Sequence, residues 1–361
     1  MSRPPARRPP ARRKGAGPQA RRRMMTAAGA LATFGVALGL ALAWALFAFF
    51  GPGPAARQGA STDLILRPHA GVPEIAATLR RAGVIPSGVL FVVAAKVTGE
   101  ARRLKAGEYA FASHASMADV LNAIAAGRVV RHFITIPEGV TSETVMQILA
   151  RAAFLTGVAP APPEGSVLPE TYEVERGADR AAVLQRMMDA RDRLLASLWA
   201  QRRTGLPYRT PEDAVTLASI VEKETAKPDE RPRVAAVFVN RLEAGMPLQA
   251  DPTVIYGLTG GKPLGHGLRA SELASQTPYN TYLVPGLPPG PIDNPGRASL
   301  AAALDPPRTD ELYFVANGAG GHVFAATLAA HDRNVARWRL IEAAAHACPA
   351  PAAARGKAAP C

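Results

Sequence analysis

Cysteine is almost absent from this 361-residue sequence, which has only Cys348 and Cys361, both in an alanine- and proline-rich tail. No cysteines and histidines recur at the spacing of a zinc site, so neither a zinc site nor a core that depends on disulfides is expected. One disulfide in the tail and two free thiols are both compatible with the pattern. No motif indicates a metal or an organic cofactor.

Acidic residues are missing from residues 1–23, which carry nine of the lysines and arginines. Because the whole chain has a net charge of +13, the other 338 residues together carry only +4. Nucleic-acid-binding domains place clustered basic residues and interleaved aromatic rings on a folded face. The charge distribution therefore excludes nucleic acid as a partner, and residues 1–23 are expected to form a disordered basic cytoplasmic segment.

Charged side chains are also missing from residues 24–50. This run exceeds the roughly 20 apolar residues that cross a bilayer as a helix. Three arginines precede it and no basic residue follows before Arg57, which places the N-terminus in the cytoplasm and the folded part outside it, in the periplasm. A cleaved signal peptide is the alternative, but the run is long and residues 51–54 are a poor cleavage context. We expect a single-pass helix in the cell (inner) membrane, followed by a linker at 51–60.

The first folded segment has the pattern strand, helix, helix, strand. The expected elements are 64–66, 73–81, 86–97 and 108–111. Ser116 is expected to cap a helix that Gly127 ends, and a strand at 130–136 follows.

The rest of the chain is predicted to be mainly helical before residue 246. Ser142 is the expected N-cap of one helix, and Thr210-Pro211 begins another with a capping hydroxyl and proline at its first position. After residue 246, frequent proline and glycine predict loops and short strands. The fold class expected is α+β, with a transmembrane helix, a small βααβ subdomain and a larger mixed α/β domain.

Two glutamates lie near the end of the helix that Thr210 begins. On a helical wheel, Glu222 falls at one margin of the apolar side and Glu224 at the opposite margin, while Lys223 points outward. A carboxyl group partly removed from water keeps a proton near neutral pH and can donate it to a leaving sugar oxygen. Periodicity alone does not choose between the two, and both could equally be solvated flanks of the helix.

Polar and aromatic residues are concentrated in three short segments after this helix. Amides, hydroxyls and rings are what a carbohydrate site requires, although the same residue types favour turns. The candidate substrate-binding residues are Gln249, Asp251, Thr253, Tyr256, Asn280, Tyr282 and His322.

Several motifs in order resemble the endolytic murein transglycosylases, or YceG-like family, over residues 61–340. They are 217–225 (LASIVEKET), 237–242 (VFVNRL), 245–257 (GMPLQADPTVIYG), 278–282 (PYNTY), 286–292 (GLPPGPI), 313–315 (YFV) and 321–324 (GHVF). The resemblance implies that the catalytic acid is the first glutamate of the Val-Glu-Lys-Glu-Thr motif, which is Glu222 here. It also implies a LysM-like peptidoglycan-binding subdomain at 61–136, a catalytic domain at 137–345, and a loose tail at 346–361.

The resemblance further implies cleavage of the bond between N-acetylmuramic acid and N-acetylglucosamine without water. Glu222 would act as acid and then as base, leaving a 1,6-anhydro end on the muramic sugar. If Asp251 served as a second carboxylate, the enzyme would instead be a hydrolase. A non-catalytic wall-binding scaffold is the other alternative, and peptidoglycan synthases are candidate protein partners in addition to the glycan strands.

Overall fold

The computed structural model describes the backbone of residues 18–347 and the side chains of residues 29–344. Cys348 and Cys361 lie outside the described residues. The chain forms two compact units, divided between Val130 and Arg131. The division falls six residues before the expected boundary at 136, because the strand that begins at Arg131 pairs with a strand of the second unit.

The first unit begins with a long helix, α1 (Pro18–Phe50), which starts within the segment expected to be disordered. Its Gly29–Phe50 stretch is 22 residues long, mostly exposed and apolar enough to cross a membrane. Five elements follow: β1 (Ser61–Leu66), α2 (Val72–Arg81), α3 (Gly88–Val97), β2 (Gly107–Ala112) and α4 (Met117–Ala126).

The expected strand–helix–helix–strand order is confirmed in this unit, where β1 and β2 pair antiparallel. Local signals set the ends of α4, since Ser116 forms a reciprocal capping box with Asp119 and Gly127 ends the helix at a φ of 72°. Buried residues of both strands and α2 to α4, including Phe91 and Tyr109, form the core.

The second unit is mixed, with two two-stranded antiparallel sheets and eight helices among its described residues. The pairs are β3 with β4 and β5 with β6. Its elements are β3 (Arg131–Thr135), α5 (Ser142–Arg151), β4 (Thr171–Glu175), α6 (Arg180–Ala200), α7 (Pro211–Glu224), α8 (Arg231–Glu243), α9 (Asp251–Thr259), α10 (Ala270–Leu273), α11 (Arg297–Leu304), β5 (Tyr313–Ala316), β6 (His322–Ala325) and α12 (Leu328–Ala347).

Two local expectations for this unit were wrong. Thr141, not Ser142, caps α5: its hydroxyl accepts from the Thr144 N–H at 3.3 Å, whereas the Ser142 hydroxyl donates to the Pro163 carbonyl at 3.0 Å. The region after residue 246 also contains helices α9 and α11, where loops and short strands were expected. Tertiary packing overrides the weak local preference there, because both helices bury residues against the core that surrounds α7.

Candidate active site

Helix α7 is the centre of the second unit and carries both glutamates in its last turn. Thr210 and Asp213 form a reciprocal capping box, and Pro211 occupies the first turn, as the sequence predicted. Every residue from 214 to 221 is buried, and α6, α8, α9 and α11 all contact α7. The helix therefore has no solvent-facing side over this stretch, and side chains two positions apart, about 200° around the axis, enter different surroundings.

The Glu222 carboxylate is bound by three donors. Oε1 accepts from the Arg231 guanidinium at 3.0 Å, and Oε2 accepts from the Ser299 hydroxyl at 2.7 Å and the Gly296 N–H at 3.0 Å. The Glu222 side chain is only 5% exposed and that of Arg231 10%. Arg231 also binds Glu138 at 3.2 Å.

A second buried acid, Asp293, lies close to Glu222. A Cβ placed on Gly139 would be 3.3 Å from Glu222 Cγ and 3.7 Å from Asp293 Oδ2. Asp293 is fully buried, and neither of its oxygens meets a donor among residues 29–344. Burial raises the pKa of Asp293 well above its ordinary value, the Lys223 charge opposes the rise, and the charges of Glu222 and Glu164 add to it. This shift favours the protonated form of Asp293.

Glu224 faces a cavity of about 270 Å³ on the other side of the helix end. The pKa of Glu224 is raised to about 8, mainly by burial and in addition by the nearby charge of Asp251, while Arg241 opposes the rise. Glu224 therefore holds its proton at neutral pH. The cavity is lined by Glu224, Phe238, Arg241, Leu248, Gln249, Asp251, Tyr282, Phe314 and His331.

Three of the predicted substrate-binding residues, Gln249, Asp251 and Tyr282, meet in this cavity. The Tyr282 hydroxyl donates to Asp251 Oδ1 at 2.6 Å. Burial and the Asp251 carboxylate raise the pKa of Tyr282 well above its usual range, so the phenol stays a donor. Gln249 has a φ of 51°, in the left-handed region that a non-glycine residue seldom adopts. Its N–H donates to the Thr281 carbonyl at 3.1 Å, which fixes the turn leading into α9.

Two cavity residues, Arg241 and His331, were not among the predicted site residues. Arg241 lies in the quoted 237–242 motif and is held by its bonds to the Leu312 and Leu248 carbonyls at 2.7 and 2.8 Å. His331 stacks on Tyr313 with ring centroids 5.1 Å apart. Burial lowers the pKa of His331, so the ring is neutral at pH 7. No sequence motif indicated a role for His331.

The other four predicted residues do not line the cavity. Thr253 is fully buried and its hydroxyl bonds to the Ala250 carbonyl and Thr281. The amide of Asn280, also fully buried, binds backbone groups of Leu273, Ser275 and Tyr282.

Tyr256 and His322 each pair with a different acid. The Tyr256 hydroxyl donates to Glu164 at 3.3 Å. His322 Nδ1 lies 2.7 Å from Glu230, and its ring packs edge-on against the cavity residue Phe314 at 5.2 Å. No group of three or more His, Cys, Asp or Glu residues that could hold a metal ion occurs among the described residues.

The model of the YceG-like family matches residues 64–337, which include both glutamates and the whole cavity. The chain belongs to this family. An endolytic murein transglycosylase from Streptococcus pneumoniae strain D39 is 32% identical over 314 residues, covering 73% of this chain and 56% of the relative. One from Bacillus subtilis strain 168 is 46% identical over 119 residues, covering 33% of this chain and 32% of the relative. The chain thus spans about half, or less, of the length of these family members.

A solved YceG-like protein from Listeria monocytogenes has a similar structure. The match covers 76% of this chain and 98% of the Listeria chain. The two chains are 26% identical, with a TM-score of 0.49. The apolar stretch Gly29–Phe50 lies before the range that the family model matches.

Proposed function

We propose that this protein is a membrane-anchored endolytic transglycosylase that cleaves the glycan strands of peptidoglycan. Family membership and the names of its relatives support the reaction class. The apolar helix Gly29–Phe50 supports an anchor, with the N-terminus in the cytoplasm and the folded residues after this helix outside. The βααβ order of the first unit supports a LysM-like, wall-binding role for it. Peptidoglycan synthases are the protein partners we propose.

The geometry favours Glu224 over Glu222 as the catalytic acid, and this is the observation on which the mechanism depends. Glu224 is protonated at neutral pH and faces a cavity with room for part of a sugar strand. Both oxygens of Glu222 are occupied by hydrogen bonds from Arg231, Ser299 and Gly296, and Glu222 does not line that cavity. We therefore move the acid from Glu222, which the resemblance implies, to Glu224, and keep Glu222 as the competing candidate.

The proposed reaction uses one carboxyl group twice. Glu224 donates its proton to the glycosidic oxygen as the bond from that oxygen to C1 of the muramic sugar breaks. The C6 hydroxyl of the same sugar then bonds to C1, and its proton passes to the Glu224 carboxylate, which restores the starting acid. The products are a free hydroxyl on the departing sugar and a 1,6-anhydro ring, with no water consumed.

The Asp251 charge assists this reaction in two ways. It raises the pKa of Glu224, which keeps the acid loaded. It also stabilises the positive charge that develops at C1 in the transition state. The hydrogen bond from Tyr282 holds the Asp251 carboxylate in position for both. If Asp251 instead activated water, the products would carry reducing ends.

Digestion of intact sacculi by the full chain tests the assignment. Products are treated with borohydride and analysed by mass spectrometry, because reducing ends gain two hydrogens and 1,6-anhydro ends do not. We expect 1,6-anhydro ends from the native chain and about a 100- to 10,000-fold slower reaction from Glu224→Gln. Glu222→Gln should retain activity wherever it remains folded.

Three outcomes would contradict the proposal. An active Glu224→Gln beside a folded but inactive Glu222→Gln would return the acid to Glu222. Reducing ends from the native chain would make the enzyme a hydrolase. A native chain that binds sacculi and releases nothing would be the wall-binding scaffold.

A further inference from the structure

The first unit carries an apolar groove that the proposed reaction does not use. It lies between α2 and α3 and has a volume of about 670 Å³. Its lining combines small apolar residues with three arginines and contains no acidic residue. The lining residues are Arg57, Pro73, Ala76, Ala77, Arg80, Arg81, Gly88, Val89, Val92 and Val93.

Helix α3 extends this apolar surface as a stripe of exposed valines. Val89, Val93 and Val97 are four residues apart, so they share one face of the helix. They are 75%, 50% and 81% exposed. The opposite face enters the core of the unit through Phe91 and Ala95. A helix that is apolar on both faces buries only one of them within this unit, and an exposed patch of this kind marks a contact surface.

The end of the apolar helix α1 is joined to this groove by a short, fixed segment. The segment expected to be a linker is bound to the first unit: the Gly53 N–H donates to the His114 carbonyl at 3.1 Å. Arg57 lines the groove, and its guanidinium donates to the Arg81 carbonyl at 3.3 Å. Arg57 is seven positions after Phe50, where α1 ends, so the two Cα atoms lie at most about 25 Å apart. The groove therefore stays close to the point where α1 leaves the bilayer.

We propose that the α3 face of the first unit lies on the surface of the bilayer that α1 spans. The valine stripe enters the boundary between headgroups and acyl chains, and Arg57, Arg80 and Arg81 bind the phosphates of anionic lipid headgroups. The inference rests on the membrane anchor of the proposed function. Lipid is the occupant that the charges fit, because the groove offers cations and no acids. The anchor also supplies lipid at high effective concentration, so weak contacts suffice.

Spin labels on the full chain test this placement in nanodiscs. Both cysteines are first replaced by serine, and one cysteine is introduced at Val93, at Ile65 or at Gly39. Ile65 is the matched control because it is 52% exposed, equally apolar, and on the strand face directed away from the core. Gly39 reports on α1 itself. Accessibility to oxygen, which concentrates in lipid, is compared with accessibility to a water-soluble nickel complex.

We expect the Val93 label to be oxygen-accessible and nickel-protected in anionic nanodiscs, and the Ile65 label to show the reverse. Replacing Arg80 and Arg81 by glutamine should lower the ratio of docked to undocked units about fivefold for each charge removed at low salt. Zwitterionic nanodiscs should weaken the contact in the same way.

Equal accessibility at Val93 and Ile65, with the Gly39 label in lipid, would overturn this inference and leave the anchor intact. A Gly39 label in water would overturn both. Protection of Val93 from oxygen and nickel together would show that protein, rather than lipid, covers the stripe. None of these outcomes bears on which glutamate is the acid, because no glycan is cleaved in the experiment.

Discussion

The Tyr282 hydroxyl donates a 2.6 Å hydrogen bond to Asp251 in the cavity that Glu224 faces. The acceptor is the same carboxylate whose charge adds to the raised pKa of Glu224. A hydrogen bond between residues 31 positions apart therefore positions one of the charges that, together with burial, raise the pKa of a residue at the end of a different helix. This arrangement makes the proton on Glu224 a property of its neighbours, which can be changed one at a time.

Asp251→Asn should move the alkaline limb of the pH–activity profile to lower pH. Removing a negative charge makes ionised Glu224 less unfavourable, so its pKa falls and the acid form is lost earlier as pH rises. The measurement is kcat/KM against pH on soluble glycan strands. Tyr282→Phe is the matched control, because it removes the hydrogen bond but retains the carboxylate. If the alkaline limb of Asp251→Asn lies at the same pH as in the native chain, this limb does not report the ionisation of Glu224.

Glu224→Gln should change how stability depends on pH. The pKa of Glu224 is about 8 in the folded chain and near 4.5 when unfolded, so between these values only the folded chain keeps the proton. The free energy of unfolding therefore falls as pH rises from 4.5 to 8, by at most about 1.4 kcal/mol per pH unit from this group. Urea unfolding should show that Gln removes this loss and makes the variant more stable than the native chain at pH 8.

The exposed Glu243 supplies the control for that experiment, since its side chain is 47% exposed. Glu243→Gln should follow the native pH dependence. Parallel curves for Glu224→Gln and the native chain would mean that the Glu224 carboxyl is not protonated at neutral pH.

Breaking the ion pair between Glu222 and Arg231 should destabilise the second unit. Their side chains are 5% and 10% exposed and 3.0 Å apart, and removing one partner of such a pair costs about 3–5 kcal/mol. In a double-mutant cycle followed by urea unfolding, Glu222→Gln and Arg231→Met should together cost less than their sum. The exposed pair Arg67–Glu74 is the control, and its coupling free energy in the same kind of cycle should be less than about 1 kcal/mol. Additive losses at Glu222 and Arg231 would contradict a structural role for this pair.

Gln249→Gly should separate backbone strain from substrate contact. The left-handed φ of 51° costs a non-glycine residue about 1–2 kcal/mol, while glycine adds a similar entropy to the unfolded chain. We expect unchanged or slightly higher stability in urea, with lower kcat/KM because the side-chain amide is gone. Gln249→Val introduces a β-branched side chain and should lower both the stability in urea and kcat/KM. A clear loss of stability in the glycine variant would show that the side chain, not the turn, holds this segment.

Local chemistry in the sequence was sufficient for much of the framework. Thr210 with Pro211, and Ser116 with Gly127, set helix ends because caps and left-handed turns depend on residues only a few positions apart. Helix α9 was missed because its proline, glycine and β-branched residues favour turns and strands in isolation. Its buried residue Thr253 is held in part by a hydrogen bond to Thr281, which is distant in sequence.

For the candidate site too, the sequence was sufficient for one part, and the tertiary structure decided the rest. The sequence identified Gln249, Asp251 and Tyr282, which share the cavity, but also Thr253 and Asn280, which are buried and bound to neighbouring backbone and hydroxyl groups. Both groups have the polar residue types that a sugar site requires. Which of them faces a cavity depends on how the turns around Thr281 pack, and composition does not contain that information.

The sequence by itself determined the apolar N-terminal helix, the capped helices, the family and the presence of two glutamates at one helix end. Only the tertiary structure decided which of the two faces open space. Helix α7 is enclosed by four other helices, so Glu222 meets Arg231, Gly296 and Ser299, and Glu224 meets the cavity. Two of those three donors lie more than seventy residues further along the chain, and no helical wheel places them. Long-range packing therefore determines the raised pKa of Glu224, because burial and neighbouring charge set a carboxyl pKa.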